Sequence, residues 1–168
     1  MSRPQLLPAK AVDDSRCEMT EMVLPSHANP MGSIFGGQVM QWIDICGGIV
    51  AQRHCRKMVV TASMDTLHFV GPIRVGEVAI LKGQIHAAFH RSVEVGVEVH
   101  AEEPLTGARR LTTEALLTFT ALDGGGRPTE VPPLALISDE ERSREAAARA
   151  RREGRLRHKR EQEASRGS

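Results

Sequence analysis

The stretch from His27 to His54 constrains this chain most, because it runs a glycine-punctuated loop into an apolar helix that carries a single acid. From Val39 the large apolar residues fall at 39, 42, 43, 46, 49 and 50, the i, i+3, i+4, i+7 recurrence of one buried helical face. At about 100° per residue, Asp44 instead shares its flank with Gly37, Met40, Gly48 and Ala51. Exposed helix is ordinarily filled with Lys, Glu and Arg, and a helical glycine costs roughly 1 kcal/mol relative to alanine. A flank this small leaves room for a second backbone or a bound ligand. Asp44 is therefore either a reactive acid on an approachable face or a buried acid satisfied by hydrogen bonds.

The loop before the helix bears on that choice. Gly36 and Gly37 stand at the first turn, where the helical N–H groups have no intrahelical acceptor and the dipole end is positive. Without side chains to cover them, those donors are open to an approaching oxygen. Asn29 adds an amide that donates and accepts without titrating; it is equally a turn residue ahead of Pro30.

The whole chain sets further bounds. Its 168 residues suit one domain. A hydrophobic content of 40% with four Phe, one Trp and no Tyr requires an aliphatic core. A net charge of +1 argues against general polyanion binding. Cys17, Cys46 and Cys55 form no CxxC and no metal-like spacing with histidine, which predicts a reduced, cytoplasmic setting and no metal site. Residues 1–14 have no run of signal length and nothing reaches the roughly 18 apolar residues of a membrane span, so neither export nor insertion is expected.

After a flexible segment over residues 1–16, a first strand is expected from Glu18 to Leu24, stopped by Pro25. Beyond the helix the period changes to two. Met58, Val60, Ala62 and Met64 alternate with Val59, Thr61, Ser63 and Asp65; Ala79, Leu81, Gly83, Ile85, Ala87 and Phe89 alternate with polar and apolar neighbours. Val93, Val95, Val97 and Val99 face in with Glu94, Glu98 and His100 facing out, and residues 110–121 repeat the pattern. One long helix and consecutive strands joined by short turns predict an α+β domain over residues 17–137, an antiparallel sheet wrapped round a helix.

From Ser138 the texture changes again. Ser138 and Glu141 form a capping box, and residues 138–168 hold ten basic and seven acidic residues. This predicts a charged helical or partly disordered tail. A sharper reading has Arg149, Arg151, Arg152 and Arg155 leaning over a phosphate-bearing ligand. Interleaved acids and scarce aromatics argue against nucleic acid.

Several motifs together resemble a known family. Asn29-Pro-Met-Gly32-Ser-Ile-Phe-Gly36-Gly37, Trp42-Ile-Asp44, Val60-Thr-Ala-Ser-Met-Asp65, Phe69-Val-Gly-Pro72, Val75-Gly76 and His90-Arg-Ser-Val-Glu-Val-Gly96 resemble the hotdog-fold acyl-CoA thioesterases. The likeness is to cytosolic acyl-CoA hydrolases and their single-domain bacterial relatives, and spans residues 18–137. It implies a long central helix wrapped by an antiparallel β-sheet, protomers paired edge to edge, and a homodimer assembled as a trimer of dimers. It also implies that Asp44 works with Asn29 of the facing domain, and that Ala62, Ser63, Met64, Arg91, Ser92 and Val93 line the coenzyme A site. Taken alone, Ser63 and Arg91 are ordinary strand residues.

The expected reaction is hydrolysis of an acyl-CoA thioester to a fatty acid and coenzyme A. Asp44 would be general base or nucleophile, Asn29 would orient water or carbonyl, and the N–H groups around Gly36 and Gly37 would hold the oxyanion. No cofactor is required, since coenzyme A is part of substrate and product, and no membrane partner is expected. A serine mechanism lacks its Gly-x-Ser-x-Gly. Two alternatives stay open: a hydratase or dehydratase on the same fold, for which His27 is a nearby histidine, and a non-catalytic acyl-CoA-binding protein.

Overall fold

The computed structural model describes residues 7–166. Its elements in chain order are β1 (Lys10–Ala11), β2 (Cys17–Met22), α1 (Gly36–Cys55), β3 (Met58–Phe69), β4 (Val78–Ala88), β5 (Ser92–Glu102), β6 (Arg109–Leu122), β7 (Leu134–Ala135) and α2 (Asp139–Arg166). Five strands form one antiparallel sheet in the order β2-β4-β5-β6-β3, while β1 and β7 pair in parallel. The sheet curls round α1, which is the hotdog arrangement expected.

The predicted face of α1 is the core face. Val39, Trp42, Ile43, Cys46 and Val50 are buried against the inward valines of β5 and against Leu81, Ile85, Leu117 and Phe119. Gly83 permits the closest approach of helix to sheet: a Cβ there would lie 2.9 Å from both Cys46 Sγ and Val50 Cγ2. At its far end α1 stops at Arg56, a non-glycine residue at φ 51° whose N–H donates to Gln52 O.

Two strands depart from simple alternation, and the departures decide which side chains face the helix. In β3 the pairing with β6 slips between Thr61 and Ser63 and again between Met64 and Thr66. One extra residue reverses the faces beyond it. Thr61 is therefore opposite core-facing Phe119 and Met64 opposite core-facing Leu117, whereas Ser63 is opposite Thr118. The expected common face of Thr61 and Ser63 is thus corrected. In β4 a slip between Ile85 and Ala87 does the same, so Phe89 leaves the core face on which alternation alone had placed it.

The flexible segment expected over residues 1–16 is also corrected where it is described; residues 1–6 lie outside the described residues. Val12 and Ser15 are buried. The Lys10 ammonium donates to the carbonyls of His54 at 2.8 Å and Arg53 at 3.1 Å, placing a cation on the last turn of α1 where free carbonyls and the negative dipole end favour it.

The C-terminal helix starts as its capping box predicts, with Glu141 N–H donating to Ser138 Oγ at 3.1 Å and Ile137 N–H donating to Glu141 Oε2 at 2.7 Å. It then packs on the outer face of the sheet. Ala148 is fully buried, and Glu94, read as outward-facing, is fully buried too. Arg151 donates to Glu94 at 2.6 Å and Arg155 to Asp65 at 2.8 Å. These two arginines of the proposed phosphate cluster are held by carboxylates. No helix among the described residues is long and apolar enough to cross a membrane.

Candidate active site

Two separate groups of predicted residues emerge within one protomer. The first is Asp44 with a residue that sequence reasoning missed: the Thr61 hydroxyl donates to Asp44 Oδ1 at 2.6 Å. Thr61 stands on the α1 side of β3, opposite core-facing Phe119 and just before the bulge that turns Ser63 away, and it meets the half-buried carboxylate of Asp44. A neutral donor fixes one oxygen of the carboxylate without neutralising its charge, which leaves the second oxygen to accept a proton or attack. The signal in the sequence was a short hydroxyl side chain on the strand following the helix, but strict alternation gave it the same standing as Ser63.

The second group is Asn29 with the start of α1. Asn29 Oδ1 accepts from Met31 N–H at 2.9 Å and Ser33 N–H at 3.3 Å, and its backbone N–H donates to Ser33 O. The turn role foreseen for Asn29 is present, and its amide N–H groups have no acceptor among the described residues. Helix α1 starts after Phe35 with no side-chain cap. The Gly36 and Gly37 N–H groups have no acceptor among the described residues either. Asn29 and Gly36 line a cavity of about 420 Å³, walled by Ile34, Val39, Phe69 and Ile73. Asp44 is not on that wall. A larger cleft of about 970 Å³ lies on the outer face of the sheet among His68, Lys82, His86, Glu98 and Glu114, and holds none of the predicted site residues.

The residues assigned to coenzyme A divide between two faces. Ser63 donates to Asp65 at 3.0 Å, on the side of β3 that faces α2. Ala62 is the residue left unpaired by the first slip of β3, and Met64 lies on the core face. Arg91 is exposed, Ser92 is half-buried at the start of β5, and Val93 is fully buried in the core, so only its backbone is open to a ligand.

Other candidate groups have structural partners. His27 accepts from Leu24 N–H through Nδ1 and meets the Trp42 ring edge-on at 5.2 Å. Burial pushes the Cys46 thiol well up and Cys55 to about 11, which makes both poor nucleophiles. His54 is buried with Nε2 against Pro132 O at 2.8 Å, and its burial lowers its pKa. Among the described residues no three His, Cys, Asp or Glu side chains converge as a metal would require.

Comparison with known proteins bears on what this geometry serves. Residues 31–108 match the thioesterase superfamily. An uncharacterized acyl-CoA thioester hydrolase of Bacillus subtilis, YkhA, is 38% identical over 128 residues, covering 76% of this chain and 74% of that protein. The chain belongs to the acyl-CoA thioester hydrolases. Mouse acyl-coenzyme A thioesterase 11 is also 38% identical, over 82% of this chain but only 24% of its own length, so the chain spans about a quarter of that longer relative.

Solved structures of this family agree in the fold. An apo-hexameric acyl-CoA thioesterase superposes with a TM-score of 0.86 at 38% identity, covering 90% of this chain and 97% of its own. A Staphylococcus aureus acyl-CoA hydrolase, solved with butyryl coenzyme A and coenzyme A, gives 0.86 at 31% identity, with 94% and 96% covered. Alanine variants of that enzyme have been solved at an aspartate, an asparagine and a threonine. Each is numbered one below Asp44, Asn29 and Thr61 of this chain.

Proposed function

We propose that this hydrolase cleaves acyl-CoA to a carboxylic acid and free coenzyme A in a site built by two protomers. The observation that carries this reading is the separation within one chain: Asp44 is held by Thr61, while Asn29 and Gly36 line a different wall. A second protomer, related by a two-fold axis, brings one chain's loop beside the other chain's helix centre. The uniform numbering of the three staphylococcal variants supports the same trio.

In this mechanism Asp44 takes a proton from water, or attacks the acyl carbon itself. The Asn29 amide orients the water or the carbonyl, and the Gly36 and Gly37 N–H groups take the oxygen as it becomes an oxyanion. The C–O bond forms first, and the oxyanion then collapses with cleavage of the C–S bond. In the general-base route the thiolate takes the proton that Asp44 removed from water; in the nucleophilic route water then hydrolyses the Asp44 acyl anhydride, releasing the acid and the free carboxylate while its proton goes to the thiolate. Thr61 positions the carboxylate. The segments Ala62–Met64 and Arg91–Val93 lie along the coenzyme A arm, and no cofactor beyond the substrate is used. The assembly is a homodimer multiplied to a trimer of dimers, working in the cytoplasm.

The test is release of free thiol across acyl-CoAs of rising chain length, by wild type, Asp44→Ala and Thr61→Val. Wild type should turn over at least one of them, Asp44→Ala should lose two or more orders of magnitude, and Thr61→Val should lower kcat by about tenfold. A folded Asp44→Ala protein with near-normal turnover would remove Asp44 from the chemistry.

A further inference from the structure

Arg110, near the start of β6, clasps the connection between β3 and β4 at two points. Its Nη1 donates to Glu77 Oε1 at 2.7 Å, and its Nη2 donates to Glu77 Oε2 and to Pro72 O, both at 2.8 Å. Glu77 Oε2 also accepts from the Arg74 N–H at 2.8 Å. One planar fork thus meets a carboxylate with paired bonds and gives a third to a backbone carbonyl. Glu77 is only 9% exposed, and the bonds from Arg110 hold its carboxyl below the ordinary range, so the pair is ionic. Strand β6 fixes the start of the same connection as well, since Thr112 O accepts from Val70 N–H at 2.7 Å and Gly71 N–H at 3.3 Å.

The clasped stretch carries the Asn29 loop. Ile34 N–H donates to Ile73 O at 2.7 Å, Val75 N–H donates to Gly32 O at 3.1 Å, and Ser33 bridges Arg74. All three links fall between Pro72 and Glu77, the two points that Arg110 holds. Ser33 in turn fixes Asn29, accepting from its backbone N–H at 2.8 Å and donating its own N–H to Asn29 Oδ1 at 3.3 Å. Two residues past Ile34 the chain enters α1 at Gly36, and Pro72 and Ile73 wall the same cavity as Asn29 and Gly36.

Connections without secondary structure are ordinarily the mobile parts of a fold. An ion pair shielded in this way adds little net stability once desolvation is counted; what it supplies here is a fixed geometry for the loop above it. We propose that Arg110 and Glu77 are positioning residues for the thioesterase reaction, setting through the 72–77 segment where the Asn29 amide and the Gly36 N–H stand. The inference rests on the shared-site hydrolase reading given above. Every link runs within one chain and ends at Asn29, whereas Asp44 is held separately by Thr61. The clasp therefore serves the site to which its own chain gives Asn29, and not the site to which that chain gives Asp44.

That asymmetry is the test. Arg110→Ala should lower kcat for thiol release about ten- to a hundredfold, the scale of a misplaced catalytic group, with KM within about threefold. Arg110→Lys, which keeps the charge but not the fork, should retain more of the rate. Arg110→Ala protein is then unfolded and refolded with each of two inactive partners. With Asp44→Ala it should recover roughly a quarter of wild-type activity, because half the dimers are mixed and each has one site with an undisturbed Asn29 loop and an intact Asp44. With Asn29→Ala it should stay at its own residual level, since neither site of the mixed dimer is complete. Recovery with both partners, recovery with neither, or a near-normal kcat in Arg110→Ala overturns the assignment. If the alanine variant does not fold, Arg110→Lys is taken through the same pairings with the same expected contrast. Asn29→Ala refolded with Asp44→Ala is the control for the underlying reading. If that pair fails to recover, the shared site is wrong, and the kcat and KM of Arg110→Ala alone then decide the role of the clasp.

Discussion

The imidazole of His86 occupies the space that a side chain at Gly96 would fill: a Cβ there would lie 2.3 Å from His86 Cε1 and 2.4 Å from Nε2. The slip in β4 at His86 lays the ring across β5 beneath α2, beside the buried Glu94, with Nδ1 3.9 Å from the carboxylate. Gly96→Ala must push the ring into the layer that docks α2. It is expected to destabilise the protein by about 1–3 kcal/mol, as overpacking of a closed site does. Adding His86→Ala should return part of that loss, a coupling that denaturant titration of the four-protein cycle reads directly. Additive losses would show that ring and glycine do not meet.

The same ring makes the fold sensitive to acid. Burial lowers the pKa of His86 from 6.5 to about 4; Glu94 opposes this, while Arg144 and Arg151 reinforce it. The group is neutral in the folded chain and protonates more readily when unfolded, so the unfolded state binds more protons and stability rises with pH. The contribution is complete above pH 6.5 and is lost as pH falls from 6.5 towards 4, approaching ~3 kcal/mol. Urea midpoints between pH 7 and 4.5 should fall accordingly, and His86→Gln should flatten the slope. An unchanged slope in that variant would assign the acid sensitivity to other groups.

The third prediction concerns the shared site. Asn29→Ala and Asp44→Ala proteins should each be nearly inactive, and should recover activity when unfolded and refolded together. Random pairing makes about half the dimers mixed, with one intact site of two, so recovery should approach roughly a quarter of wild type. Mixed dimers seen by mass spectrometry without recovered turnover would put both residues in one chain's site.

Much of this architecture was legible before any coordinates. The apolar stripe of α1, the acid on its small-residue flank, the strand succession and the capping box at Ser138 all follow from periodicities that local physics enforces. What escaped were the places where one residue more or less changes the face. The slips at Thr61/Ser63 and Ile85/Ala87 leave no mark in composition, yet they turn Ser63 away from the helix and Phe89 to α2. Glu94 escaped for another reason. An acid on the solvent side of a strand looks solvated until something covers it, and the arginines that cover it lie more than fifty residues later, where chain-local patterns carry no information.

Strand β3 ends the sheet with no neighbour on its outer side among the described residues, and Met58, Val60 and Phe69 are exposed along it. A twelve-residue edge of free donors and acceptors is a template for any other strand, and isolated chains carrying one are prone to associate wrongly. Pairing two such edges would remove the hazard and complete the catalytic pair in one event. If the site is shared as proposed, dilution should cost the enzyme its activity and its resistance to unfolding together, because one surface would then protect the chain and supply the other half of its chemistry.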